Sequence, residues 1–239
     1  MPSRDWNSEA AAHLLNRAGF GGTPDEVESA HKQGLTATVD RVVEGATAEN
    51  GSFPAPAWAH PENIKERRME IRAAKEEGGT EGIDKMKEFR QMQNANVLDL
   101  RRWWLERMAT TSTPLLEKMT LFWHGHFATS AEKVQNGYWM WLQNETLRHH
   151  ALGNFVALTK AMSRDPAMMI YLDLQQSQKE HPNENWAREL MELFTVGIGN
   201  YSESDIRESA RAFTGYRVDM TNQQFRFAMR QHDAGQKTF

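Results

Sequence analysis

Residues 182–197 read PNENWARELMELFTVG, and the period of this stretch decides the fold. Projected at about 100° per residue, Trp186, Ala187, Leu190, Met191, Leu193 and Phe194 form one broad apolar arc. Glu184, Asn185, Arg188 and Glu192 occupy the opposite arc. A segment apolar on one side and charged on the other reads as an amphipathic helix. Glu184, Arg188 and Glu192 are spaced i, i+4, i+8, which sets the arginine to pair with both glutamates. Glu189 lies at the apolar border. A carboxylate there needs a partner: an arginine, a metal ion or a proton.

The same period recurs on both sides. Downstream, Ser202 and Asp205 form a capping box, with Tyr201 and Ile206 as the hydrophobic staple around it. That helix ends at Thr214–Gly215. The period then changes: Tyr216 and Val218 alternate with polar residues, MTNQ makes a turn, and Phe225, Phe227 and Met229 alternate again, which predicts a β-hairpin. Upstream, helices are expected over 8–18, over 24–33 behind the cap Thr23 with Pro24 at the first position, and over 35–43 up to Gly45. Residues 46–61 read as a linker. Residues 62–75 read as a strongly charged helix, EGGTEG at 77–82 as a break, and 83–110 as a long helix. The charged 62–93 stretch is expected to be a helical insertion with a solvated face. Thr113–Pro114, Tyr138–Leu147, 152–162 and Asp165–Pro166 mark the remaining helices, and Gln175–Pro182 is a polar loop.

Composition bounds the class. At 239 residues, 39% hydrophobic and 25% charged, the chain is long enough for a sizeable core and polar enough for a globular protein. A net charge of −4 gives no electrostatic reason to expect nucleic acid or an anionic membrane as partner. No apolar run is long enough to span a bilayer, and the start MPSRDWNSEA lacks the apolar core of a signal peptide. With no cysteine, disulfides, thiolate zinc sites and cysteine nucleophiles are excluded. GxGxxG, P-loop, HExxH and GxSxG patterns do not occur.

The chemistry-bearing residues outside 182–197 are few. His124 and His126 flank Gly125; on a continuous helix they point about 200° apart and cannot share an ion, whereas a segment broken at Gly125 would redirect them. His126 continues the stripe of Phe122 and Trp123, as either a core histidine with one hydrogen bond or a metal ligand or base facing a pocket. Asp173 follows the apolar run MMIYL and reads as a helix-end carboxylate. His232 and Asp233 follow the hairpin in a loop. Arg207 and Arg211 are expected to pair with Glu203 or Glu208.

Five separated stretches, AAHLLNRAGFGGTPDEV, KMTLFWHGHFATSAEKV, RDPAMMIYLD, PNENWARELMELFTVGIGNYSESDIRESARAFTGY and HDAGQKTF, occur in the order seen in a large bacterial family. The chain thus resembles the domain-of-unknown-function family number 1800. The resemblance implies a mainly helical fold and members that often carry export signals; it brings no established reaction. It also implies that this chain is the N-terminal portion of a larger unit, with the remaining C-terminal portion as a partner. The family pattern falls on His124, His126, Asn183, Glu184, Asn185, Arg188, Glu189, Glu192, His232 and Asp233, which favours a shared polar site.

The expected fold is all-α: an irregular multi-helix bundle, one domain over 1–239, with one small β-hairpin near the C-terminus. Two functions stay open, beside a haem site on His126 that no haem-attachment motif supports. One is a divalent-metal-dependent hydrolase. Its ion, of unspecified identity, is held by His124 or His126, Glu189 and His232; Glu192 or Glu184 serves as base or orients the ligands, and Arg188 holds a carboxylate or an anionic substrate. The other is a non-catalytic helical scaffold or partner-binding module, in which the same residues form a buried polar network.

Overall fold

The computed structural model describes residues 6–47, 53–78 and 80–239. The first five residues, positions 48–52 of the expected linker and Gly79 of the expected break lie outside them. Twelve α-helices and one two-stranded sheet make up the regular structure of the described residues. The all-α reading with one hairpin holds. No helix among the described residues is long and apolar enough to cross a membrane.

Helices α1 (Ser8–Ala18), α2 (Pro24–Gln33) and α3 (Leu35–Thr47) form an N-terminal layer. Thr23 and Glu26 cap α2 reciprocally, satisfying backbone N–H groups that the first turn leaves free. Helix α3 runs through Gly45 rather than stopping there. This layer docks on α6 (Pro114–His126). Helices α4 (Ile64–Glu76) and α5 (Glu81–Thr110) pack against each other as an α-hairpin. The charged faces are exposed, yet Ile64 is buried in the main core, and the Gln93 side chain accepts the Gly137 N–H at 2.7 Å. Part of the charged 62–93 stretch is thereby fastened to the body of the protein.

Helix α8 (Gly137–His150) is the central strut. It packs against α5, α6, the short α7 (Ala131–Val134), α9 (Phe155–Met162) and α10 (Pro166–Tyr171). Its buried Trp139, Met140 and Leu147 meet Phe127, Leu158, Met162, Met168 and Met169 in one continuous core. Helix α9 starts later than periodicity suggests, because the Asn154 side chain caps it by accepting the Ala157 N–H.

The 182–197 segment departs from a single regular helix. Helix α11 covers only Glu184–Glu189, and Leu190–Phe194 then form a π turn. A π turn bonds i to i+5 and rotates each residue less than an α turn does. Helix α12 (Glu203–Ala212) packs on α11 through Ala187, Ile206 and Ala210, with the expected Ser202–Asp205 capping box in place. Strands β1 (Tyr216–Asp219) and β2 (Gln224–Phe227) pair antiparallel, with Tyr216 opposite Phe227 and Val218 opposite Phe225. Met229 falls outside the sheet, in a 3-10 turn.

Candidate functional site

Helix α6 is continuous through Gly125 to His126, so the two histidines face opposite ways. His124 turns toward α8. There the Arg148 Nη2 donates to the Asn144 side-chain oxygen at 2.6 Å, which fixes the amide orientation. The Asn144 amide nitrogen must then donate to His124 Nε2, 3.1 Å away. His124 is a neutral imidazole protonated on Nδ1. Burial, reinforced by the Arg148 charge, lowers its pKa to about 4. Its ring lies against Trp104, with centroids 4.7 Å apart.

The centre of this network is Glu117, fully buried in the first turn of α6. Arg148 holds it with two bonds, Arg107 Nε donates at 2.6 Å, and Trp104 Nε1 donates at 2.9 Å. Burial alone would raise this carboxyl. The Arg148 bonds and charge, with Trp104 and Arg107, outweigh it and hold the pKa below the usual value. Arg148 is also ion-paired with Glu145. Sequence reading passed over Glu117, Asn144 and Arg148. The available signal was spacing: Glu117, Thr120 and His124 recur at i, i+3, i+7 on α6, and Asn144 and Arg148 at i, i+4 on α8.

A second buried polar group sits nearby. Asp165 caps α10, its Oδ1 accepting from Met168 N and from Gln143 Nε2, both at 2.8 Å. Gln143 also donates to the Thr129 hydroxyl. Burial pushes the Asp165 carboxyl up to about 7, against the smaller downward pull of the Met168, Gln143 and Ala167 bonds. Asp165 Oδ2 and Gln143 Oε1 have no partner among the described residues.

Among the described residues His126 has one hydrogen bond, from Nε2 to the Phe194 carbonyl at 2.9 Å. A carbonyl only accepts, so Nε2 carries the proton. The bond ties α6 to the end of the π turn. Two other carbonyls of that turn are also occupied: Leu190 O by the Thr195 hydroxyl and Met191 O by Gly197 N. His126 thus acts as one of three donors that close an irregular helix end.

The expected charge ladder is only half formed. Arg188 pairs with Glu184 at 3.2 Å, but its main partner is Glu203 on α12, with two bonds of 2.9 Å. Glu192 instead accepts from the Tyr201 hydroxyl at 3.0 Å. The π turn between Arg188 and Glu192 moves the latter off the i, i+4, i+8 line. Glu189 is half-buried and has no hydrogen bond or ion pair among the described residues. Asn183 and Asn185 each donate to carbonyls at the end of α10, Asp173 O and Leu172 O. The Asp173 carboxylate pairs with Lys133.

His232 Nδ1 donates to the Thr214 carbonyl at 2.8 Å, and its ring meets Phe227. Asp233 accepts from Arg211 Nε at 2.8 Å and from Gly235 N. Arg211, with that backbone bond, holds the Asp233 carboxyl well below the usual carboxylate range. Arg211 pairs with Glu208 as expected.

The proposed ligands are therefore distributed. His124 faces Asn144, His126 faces the π turn and His232 faces Thr214. Among the described residues, no three His, Asp or Glu side chains are grouped to hold a metal ion. As a donor set for one ion, His124, His126, Glu189 and His232 do not fit.

The fold and these polar seams define a helical protein with a C-terminal hairpin, organised around α8. The chain belongs to DUF1800, a family of proteins of unknown function, whose sequence profile matches residues 13–239. No curated protein and no solved structure matches the chain.

Proposed function

We propose that this chain is a non-catalytic helical scaffold or partner-binding module whose buried polar residues fix helix packing. One observation carries the reading: the chain of bonds Glu117–Arg148–Asn144–His124, which joins α6 to α8. His126 closing the π turn and Asp233 holding Arg211 support it in the same way. Buried networks of this kind specify one arrangement of helices when every member is satisfied.

Metal analysis tests it. Purified protein is equilibrated with zinc, manganese or iron(II), dialysed, and assayed beside His126→Ala. The scaffold reading expects negligible metal in both and a loss of stability in the variant. Stoichiometric metal in the parent chain, lost in His126→Ala, overturns it.

A divalent-metal-dependent hydrolase is the second reading. Its support is Glu189, a half-buried carboxylate without a partner among the described residues. That reading needs ligands beyond the four histidine and glutamate positions, and the metal assay above decides against it if both proteins are metal-free.

A further inference from the structure

A cleft of about 620 Å³ opens between α9, the π turn and residues 212–216. Its walls are largely apolar: Phe155, Val156, Leu190, Met191, Phe213 and Tyr216. A volume of this size suits a small organic ligand. Three features distinguish it from an ordinary surface groove.

The first is charge. Lys160 and Arg164 stand at the cleft, and among the described residues no Asp or Glu lines it. Both cations are exposed, and neither is ion-paired with a carboxylate among the described residues. Arg164 instead lies over the Phe225 ring, 5.6 Å from its centroid. In a chain with 32 acidic against 28 basic residues, a cleft with two unpaired cations and no acid is biased toward an anion. The second is Trp186, which lines the cleft and is wholly buried, yet its indole N–H has no acceptor among the described residues. A buried donor without a partner is costly, and a ligand oxygen would relieve that cost. The third is apolar exposure at the rim: Val156 is 57% and Val196 49% exposed. The π turn itself forms one wall through Leu190 and Met191, and such turns recur at functional sites.

We propose that this cleft binds an amphipathic carboxylate. Its apolar body covers Val156, Leu190, Met191 and Phe213. Its headgroup is held by Lys160 and Arg164, and a ligand oxygen accepts from Trp186. The apolar walls contribute burial, and the two cations select charge over a neutral molecule of the same shape. The proposal stands whether or not the chain is catalytic, since it uses none of the residues of the Glu117 network.

The test is calorimetric titration of the full chain with decanoate, and with decanol as the neutral comparator. Decanoate is expected to bind saturably and more tightly than decanol. The double variant Lys160→Gln/Arg164→Gln is expected to weaken decanoate binding by about tenfold or more, the scale of losing charge-assisted bonds. Decanol affinity should stay unchanged in that variant. Val156→Glu, on an exposed helix position, should weaken decanoate through like charge at the mouth. Trp186→Phe should weaken both ligands. No saturable decanoate binding, equal binding of decanoate and decanol, or an unchanged affinity in the double variant each overturns the proposal. So does a concentration-dependent dimer in sedimentation that Val156→Glu abolishes, which would make the cleft a face for a second copy.

Discussion

Arg148 grips Glu117 side-on, with Nε 2.7 Å from Oε1 and Nη2 3.0 Å from Oε2, and both side chains are out of water (1% and 0% exposed). Arg107 is bound to the same carboxylate and is itself buried. One buried carboxylate thus holds two buried guanidinium groups together. Glu117→Gln leaves buried Arg107 without its counter-charge and Arg148 with only Glu145. It is expected to destabilise the protein by roughly 3–5 kcal/mol, the scale of breaking a buried pair. A urea denaturation curve measures this, and a loss below about 1 kcal/mol would show that the cluster is not the anchor of α6 on α8.

Asp165 and His124 tilt the pH dependence in opposite directions. The Asp165 pKa rises from 3.8 unfolded to about 7 folded, so its contribution is full below 3.8 and is lost as pH rises through 7. The His124 pKa falls from 6.5 to about 4, so its contribution is full above 6.5 and is lost as pH falls toward 4. Across that shared window the two partly cancel. Asp165→Asn keeps an oxygen to cap α10 and removes one of them. The variant is expected to exceed the parent in stability at about pH 8 by about 1 kcal/mol or more, and to lose stability more steeply on acidification. Melting temperatures followed across that pH range check both signs; parallel curves would refute the assignment to Asp165.

His126→Ala removes the donor that closes the π turn at the Phe194 carbonyl. A lost partner at a half-buried carbonyl costs about 1–3 kcal/mol. His126→Gln, which keeps a side-chain N–H, should recover part of that loss. Denaturation of the two variants side by side gives the comparison, and equal losses would mean that ring packing rather than the hydrogen bond matters.

Glu189→Gln is expected to change stability by no more than about 0.5 kcal/mol, because the carboxylate has no described partner to lose. Arg188→Ala is expected to cost about 1 kcal/mol or less, since its pairs with Glu184 and Glu203 are solvent-exposed. Thermal melts read both. A large loss in Glu189→Gln would reveal a partner for that carboxylate.

Gly215 leads into β1 with φ of +82°, and a Cβ there would lie 2.8 Å from the Ala228 carbonyl oxygen. The contact is with backbone, which cannot turn aside as a side chain can. Gly215→Ala is expected to cost about 1–3 kcal/mol through strain and displacement of the hairpin. A denaturation midpoint equal to that of the parent would contradict it.

Helix starts and stops were legible because their causes are local. Thr23 with Glu26, Ser202 with Asp205, and Asp165 before Pro166 each satisfy helix N–H groups within three residues. The alternation of 216–229 disclosed the hairpin for the same reason, since it is a property of neighbouring residues. Helical rotation separated the faces of His124 and His126 only once α6 ran unbroken through Gly125. What the tertiary structure decided was pairing. Glu117 meets Arg148 across 31 residues, Arg188 turns to Glu203 on another helix, and Glu192 meets Tyr201 beyond the π turn. Periodicity says which face of a helix carries a charge. Which opposite charge arrives there depends on how helices dock and on where one changes its winding, and side-chain shapes across the whole core set both.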